Sequence, residues 1–181
     1  MNIYNKDIMD WDEFPTYDII WCDPPWEQKM VNFFETMMVK KGQSKPNNTI
    51  EEIFYQLGKL AHKNKPLFIE YSLKGSDNVI NIMKMNGHLF CGKIISIQEN
   101  NNPYCILVFN TNDYLPNGSN QGFKIIEQTC KDFNFNVVFD PFAGIGKTAK
   151  AFLRNGKKYI GSEINTYRFN KLKEVVWHEQ Q

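Results

Sequence analysis

Val137-Val138-Phe139-Asp140-Pro141-Phe142-Ala143-Gly144-Ile145-Gly146-Lys147-Thr148 is the stretch whose reading decides the fold. Three β-formers run into an acid and a proline. Two glycines follow, and a helical pattern then continues to about Asn155. Lys158 to Gly161 reads as the next strand, with Glu163 just beyond it. Glycines at a strand-to-helix turn let a ligand approach the backbone closely. An acid at the end of the next strand, about 20 residues on, can accept hydrogen bonds from ribose hydroxyls. One glycine of the dinucleotide fingerprint is absent. Gly146-Lys147-Thr148 also invites a nucleoside-triphosphatase reading. A P-loop, however, requires a glycine where Pro141 stands. A purely structural glycine turn remains open.

Working outward, Tyr17-Asp18-Ile19-Ile20-Trp21-Cys22 is an apolar run rich in β-formers, ended by Asp23-Pro24-Pro25-Trp26. Two successive prolines continue neither a ladder nor a helix, so Asp23 falls at the C-terminal end of a buried strand. Its carboxylate and the Pro24 carbonyl, held rigid by the prolines, are both acceptors, and they suit a nitrogen that presents two N–H donors. An exocyclic amino lone pair is delocalised into its ring and is a poor nucleophile. Two acceptors on its hydrogens favour a pyramidal nitrogen, a matter of electrostatic preorganisation and positioning. Trp26 offers a face for a stacked base, worth ~1–3 kcal/mol. The plainer alternative is that Pro24-Pro25 only ends the strand and Trp26 packs in the core. Ligands of α/β sheets bind at the carboxyl ends of strands, and two motifs at such ends favour the functional reading.

The remaining pattern is an alternation of strands and helices. Ile3-Tyr4 reads as a short first strand and Asp7 to Phe14 as a turn or short helix. Met30, Phe33, Phe34, Met37 and Met38 mark one helix face within Lys29 to Val39. A polar loop, Lys40 to Asn48, leads to Thr49, an N-cap whose capping box Glu52 completes for a helix from Ile50 to about Lys63. Pro66 to Tyr71 is a strand and Asp77 to Met85 a helix. Leu89 to Gln98 and Tyr104 to Phe109 are strands joined by hairpin-like Glu99-Asn100-Asn101-Asn102-Pro103, hence antiparallel. Asn117 to Asn120 is a loop and Phe123 to Asp132 a helix. This order implies an α/β protein, a mostly parallel sheet with helices on both faces.

At 181 residues the chain has room for one sizeable core, so residues 1–181 are expected to form a single domain without a separate target-recognition domain. A hydrophobic content of 42% with 23% charged residues argues against disorder. No apolar run approaches the roughly 20 residues of a membrane helix. The N-terminus lacks the features of a signal peptide, and the expected location is cytoplasmic. Cys22, Cys91, Cys105 and Cys130 are scattered, His62, His88 and His178 isolated, and no metal site is expected. A net charge of +1 is uninformative about partners: a dedicated nucleic-acid binder often shows a clearly basic balance, and this chain does not. Lys40, Lys41 and Lys45, and Lys59, Lys63 and Lys65, could still form a positive face, although a solvated surface explains them as well.

Asp23-Pro24-Pro25-Trp26 resembles the D-P-P-[YW] motif of the DNA amino-methyltransferases, in particular the permuted (beta) class, in which the catalytic tetrapeptide precedes the cofactor loop. Asp140 to Thr148 resembles that family's D-P-F-x-G-x-G-x-T loop, and Ile160-Gly161-Ser162-Glu163 its ribose-holding strand. The resemblance covers both ends of the chain and most strands between. It implies a circularly permuted, three-layer Rossmann-like methyltransferase fold with a seven-stranded sheet, completed by the first strand lying beside the strand that ends at Glu163. It implies S-adenosylmethionine as cofactor, held by Asp7, Asp140, Phe142, Ala143, Gly144, Gly146 and Glu163. Catalytic roles fall to Asp23, Pro24, Pro25 and Trp26. The implied reaction is methylation of adenine N6 in nucleic acid, DNA before RNA, because relatives acting on cytosine N4 more often carry Ser in place of the Asp.

Two departures bear on specificity. Few residues separate Phe109 from Asn117, where family members insert a target-recognition region. The Lys-Pro pair before the cofactor loop is also missing, with Gly122-Phe123-Lys124 nearby. A catalytic core without a reader implies non-specific action, a homodimer or a partner subunit. The helix from Met30 to Met38 with its basic loop is a candidate DNA contact, or else simply faces the core. Rival readings are an RNA or small-molecule amino-methyltransferase and a catalytically silent binding subunit. The Asn- and Lys-rich composition fits an AT-rich genome such as that of a bacterial virus.

Overall fold

Buried on both faces, a parallel strand reads as an unbroken apolar run, and Ile19-Ile20-Trp21-Cys22 is buried at all four positions. The computed structural model describes residues 2–98, 101–112, 114–117 and 122–179. Its strands are β1 (Asn2–Tyr4), β2 (Ile19–Cys22), β3 (Leu67–Tyr71), β4 (Phe90–Ile97), β5 (Pro103–Phe109), β6 (Val137–Asp140) and β7 (Lys158–Ser162). Its helices are α1 (Gln28–Lys40), α2 (Ile50–Leu60), α3 (Ser76–Met85), α4 (Phe123–Asp132), α5 (Lys147–Arg154) and α6 (Thr166–His178), with a 3₁₀ turn at Ile8–Asp10.

The seven strands form one sheet in the order β1-β7-β6-β2-β3-β5-β4. Neighbours from β1 to β3 run parallel. Only β5 runs against its neighbours, pairing antiparallel with both β3 and β4. The mostly parallel α/β sheet, the β4–β5 antiparallel pair and the place of β1 beside β7 agree with expectation. Glu99 and Asn100 of the expected hairpin turn, and Gly118, Ser119 and Asn120 of the expected loop, lie outside the described residues.

Alternation of side chains divides the core into two layers. On one face Ile20, Cys22, Leu67, Ile69, Leu107 and Phe139 pack with Phe54 and Leu57 of α2 and Val79 and Met83 of α3. On the other, Ile19, Trp21, Phe68, Ile106 and Val138 pack with Ile125 of α4, Phe152 of α5 and Leu172 of α6. This makes three layers. Among the described residues no helix is long and apolar enough to cross a membrane.

Local chemistry sets the helix ends. Thr49 Oγ1 accepts from the Glu52 N–H at 3.2 Å, and the Glu52 carboxylate accepts from the Thr49 N–H at 2.8 Å, completing the capping box. α2 stops at Leu60, short of the expected Lys63, because Ala61 turns to an extended conformation. Lys63 folds back instead. Its ammonium donates to the carbonyls of Gly58 and Ala61, satisfying the helix end. Lys63 is thereby removed from the basic cluster that the sequence suggests.

Thr49→Ala removes one side of the capping box and is expected to destabilise the protein by about 1 kcal/mol. A urea titration should show a lower midpoint with an unchanged slope.

Candidate active site

Asp23 follows the last residue of β2, where the two prolines stop the ladder, and its side chain stands between two hollows. The larger, a cavity of about 260 Å³, is lined by Asp23, Pro24, Pro25 and Trp26 together with Asp7, Phe142 and Glu163. The smaller, about 240 Å³, is lined by Asp23, Glu70, Tyr104, Phe123 and Lys147 among others. Trp26 Nε1 donates to Asp23 Oδ1 at 2.7 Å. Its indole lies parallel to the Tyr104 ring, with centroids 6.3 Å apart and planes 8° from coincidence.

The larger cavity is assembled by the two chain ends of the sheet. β1 delivers Asp7, whose carboxylate accepts from the Met9 N–H at 3.1 Å and from Asn48 Nδ2 at 3.0 Å. β7 delivers Glu163, which is only 7% exposed. Glu163 Oε1 accepts from the Asn165 N–H at 2.8 Å, and the Gly144 N–H also donates to this carboxylate. The Glu163 N–H donates to the Tyr4 carbonyl at 3.0 Å, and Asn5 Nδ2 donates to the Glu163 carbonyl at 2.7 Å. The N-terminal segment thus fixes the strand end that carries Glu163. Burial raises the carboxyl pKa of both Asp7 and Glu163 above the usual range.

α1 forms the outer wall. Met30, Val31, Phe34 and Met38 line the cavity, while Phe33 and Met37 of the expected face are 59% and 36% exposed. The helix expected to serve as either DNA contact or core element therefore turns part of its apolar stripe to the cavity and leaves the rest in solvent. Glu35 ties the following loop to it, accepting from the Asn48 N–H at 3.1 Å and pairing with Lys45 at 3.5 Å.

The glycine loop serves packing as well as access. Asp140 is 1% exposed and lines neither hollow. It accepts from the Phe142 N–H at 2.9 Å and from the Tyr159 hydroxyl at 3.0 Å, so it shapes the loop from within. Ala143 is likewise buried beneath the loop. Gly144 has φ +57°, and a Cβ there would come within 2.7 Å of the Arg168 guanidinium. Gly146 has φ +90°, and its Cβ would press on Leu172 and Val175 at 3.1 Å. Of the seven residues expected to hold a cofactor, Asp7, Phe142 and Glu163 face the cavity; Asp140, Ala143, Gly144 and Gly146 stand behind it.

Three carboxyl groups crowd the ends of adjacent strands. Desolvation by the surrounding protein is the main cause that raises Asp23 to about 6, against the pull of the Trp26 N–H, Arg168 and Lys147, although the side chain is exposed where it opens onto both hollows. Glu70 is pushed up to about 8 by burial and by the Asp23 and Asp140 charges. Asp140 rises to about 7, again chiefly through burial. Such clustering of shifted acids at a cleft is typical of reaction sites.

Two residues escaped the sequence reading. Arg168 stacks on Phe34 at 4.6 Å and lies 3.9 Å from Glu163. It sits on α6, where a single arginine carries no signal of its own. Glu70 is an acid inside an otherwise apolar strand, and that anomaly was the available clue. Among the described residues no group of three or more His, Cys, Asp or Glu side chains could hold a metal ion.

The sequence pattern of the DNA methylase family N6_N4_Mtase matches residues 123–174, from α4 into α6. The crystal structure of M1.HpyAVI aligns with a TM-score of 0.69 over 97% of this chain and 98% of that one, at 16% identity. TTHA0409 from Thermus thermophilus, complexed with S-adenosyl-L-methionine, aligns at 0.66 over 98% and 93%, at 15% identity. The cytosine-N4-specific PvuII DNA methyltransferase aligns at 0.50 over 98% and 91%, at 10% identity. The chain has the methyltransferase fold. No curated protein matches its sequence.

Because Asp140 holds its proton more tightly when folded, its contribution to stability is complete below about pH 3.8 and lost as pH rises through about 7. Asp140→Asn removes this dependence. Wild type should lose stability relative to the variant across that window, by up to about 1.4 kcal/mol per pH unit. Parallel thermal melts with pH would reveal equal slopes if the assignment were wrong.

Proposed function

We propose that this chain is an S-adenosylmethionine-dependent amino-methyltransferase acting on DNA, with adenine N6 as its target. The observation that carries the reading is the position of Asp23, one carboxylate shared by two hollows. One hollow is lined by acids and apolar groups, and the other is flanked by aromatic rings. A donor and an acceptor molecule entering from opposite sides would meet at this side chain.

The larger cavity fits the cofactor chemically. Glu163 and Asp7 are acceptors for ribose or amine hydrogens, and the four acids of the lining, Asp7, Asp23, Glu35 and Glu163, outnumber its two cations, Lys6 and Arg168, a balance that suits a cationic ligand. Ile8, Val31, Phe34 and Ile53 supply the apolar walls that a purine needs. Two of the structures sharing this fold, M1.HpyAVI and TTHA0409, hold S-adenosylmethionine. When bound, the cofactor supplies a methyl group made electrophilic by its sulfonium.

The protein's own part is electrostatic and positional. Asp23 accepts an N–H of the exocyclic amine, and the Pro24 carbonyl takes the other. This shifts electron density back onto nitrogen and points its lone pair at the methyl group. With a pKa near 6, Asp23 is ionised at neutral pH and can take the proton that the methylated nitrogen must shed. Trp26 keeps the carboxylate oriented through its N–H and lies parallel to Tyr104, whose ring with Phe123 borders the hollow where an extruded base would lie. The Asp at the head of the tetrapeptide supports adenine over cytosine. A homodimer or partner subunit would supply target recognition.

The test is nucleoside mass spectrometry after incubation with methyl-labelled cofactor and separate DNA and RNA pools. Wild type should yield labelled N6-methyladenine from DNA, and Asp23→Ala should lose at least about a hundredfold in rate while still binding cofactor. N4-methylcytosine or labelled RNA would redirect the target. Cofactor binding without any labelled base would point to a silent subunit.

A further inference from the structure

The smaller hollow holds an acid that the proposed reaction leaves unused. β2 and β3 run parallel with Trp21 opposite Phe68, and both side chains pack on the face covered by α4 to α6. Side chains two residues on return to the same face. Asp23 and Glu70 therefore stand side by side, one step past this pair, on strands ~4.8 Å apart. Both line the smaller hollow, with Tyr104, Phe123 and Lys147.

Glu70 is held rather than loose. Trp21 Nε1 donates to Glu70 Oε1 at 2.7 Å, and Trp21 is fully buried, stacked on Phe68 with centroids 4.8 Å apart. One carboxyl oxygen is committed to that bond, and the other is available to the hollow. The neighbouring Asp23 and Asp140 charges and the loss of water make an ionised Glu70 unfavourable beside an ionised Asp23. The pair then presents one acceptor and one O–H donor next to each other.

That arrangement complements one kind of heterocycle edge. Adenine and cytosine each place a donor amine beside a ring nitrogen that only accepts. Guanine and thymine place a carbonyl beside a ring N–H, the opposite pattern. We propose that Glu70, in its protonated form, donates a hydrogen bond to the ring nitrogen adjacent to the amine held by Asp23. Glu70 is thus a specificity-determining residue that admits amino bases and rejects oxo bases. This rests on the amino-methyltransferase reading. Rejection arises because an oxo base would set its ring N–H against the Glu70 O–H and its carbonyl against the Asp23 carboxylate, leaving buried groups unpaired.

Ionisation of Glu70 would replace the donor by a second acceptor, so turnover should fall as pH rises through about 8. The other groups facing Glu70 do not titrate in that way. Asp23 and Asp140 have lost their protons at lower pH. Tyr104 is raised above its usual range by burial, and Lys147 also lines the hollow.

The experiment measures labelled methyl transfer to random-sequence DNA by wild type and Glu70→Gln across pH 6 to about 9.5, and to DNA carrying 1-deazaadenine or 3-deazacytosine. An amide keeps an acceptor for Trp21 and a donor that cannot ionise. The wild-type kcat should fall on the alkaline side, and that fall should vanish in Glu70→Gln whatever its maximal rate. Loss of the ring nitrogen should cost wild type about tenfold in kcat/KM, in adenine if adenine is the target and in cytosine if cytosine is. An alkaline fall kept by Glu70→Gln, or full activity on the deaza base, would overturn the role of Glu70 while leaving the enzyme reading intact. No transfer to any base by wild type would overturn both.

Discussion

Three carboxyl groups on adjacent strand ends, Asp140 buried, Glu70 half-buried and Asp23 exposed to the two hollows, set the terms for the rest of this protein. Asp140 closes β6, Asp23 follows β2 and Glu70 stands near the end of β3, and the Asp23 charge raises the pKa of the other two. Like charges on neighbouring strand ends cannot all ionise without cost. The fold meets that cost locally, with a donor on each acid: Trp26 N–H on Asp23, Trp21 N–H on Glu70, and the Phe142 N–H and Tyr159 hydroxyl on Asp140. Those donors sit on aromatic or loop elements locked into the core. The polar site and the apolar packing are therefore one construction.

The larger cavity depends on a second constraint, the docking of β1 against β7. A three-residue strand is a weak element alone, but Tyr4, Asn5 and Lys6 all bond to Ser162, Glu163 or Ile164. These bonds carry Asp7 into the cavity opposite Glu163. They also bring the first and last parts of the sequence into one wall. α1 then supplies the remaining wall, tethered through Glu35 and Asn48.

Much of this was legible in the sequence because steric rules are local. Pro24-Pro25 must end a strand, Thr49 and Glu52 must cap a helix, and Gly144 and Gly146 occupy backbone conformations that glycine adopts readily. What depends on strand order was not legible. Asp23 and Glu70 are far apart in sequence, and only the pairing of β2 with β3 makes them neighbours. The destination of α1 was hidden for the same reason: an apolar stripe looks alike whether it faces a core or a cavity. Asp140 shows the converse error of scale. Its motif marks the loop correctly, yet its carboxylate serves the loop's shape rather than the cavity surface.

The bond from Trp26 to Asp23 ties these observations together. A carboxylate has about four acceptor positions, so Asp23 can keep the indole N–H on Oδ1 and still receive an amine. The cost of fixing its rotamer is then met on folding rather than at the moment of reaction, which is the condition for preorganised electrostatics. The same bond holds the indole plane parallel to Tyr104, so orientation of the Asp23 carboxylate and placement of the ring that walls the larger cavity are coupled. A residue that the sequence presents as a stacking face is, in this fold, equally a hydrogen-bond donor. Phenylalanine at position 26 would retain the face and lose the donor, separating the two roles that tryptophan combines.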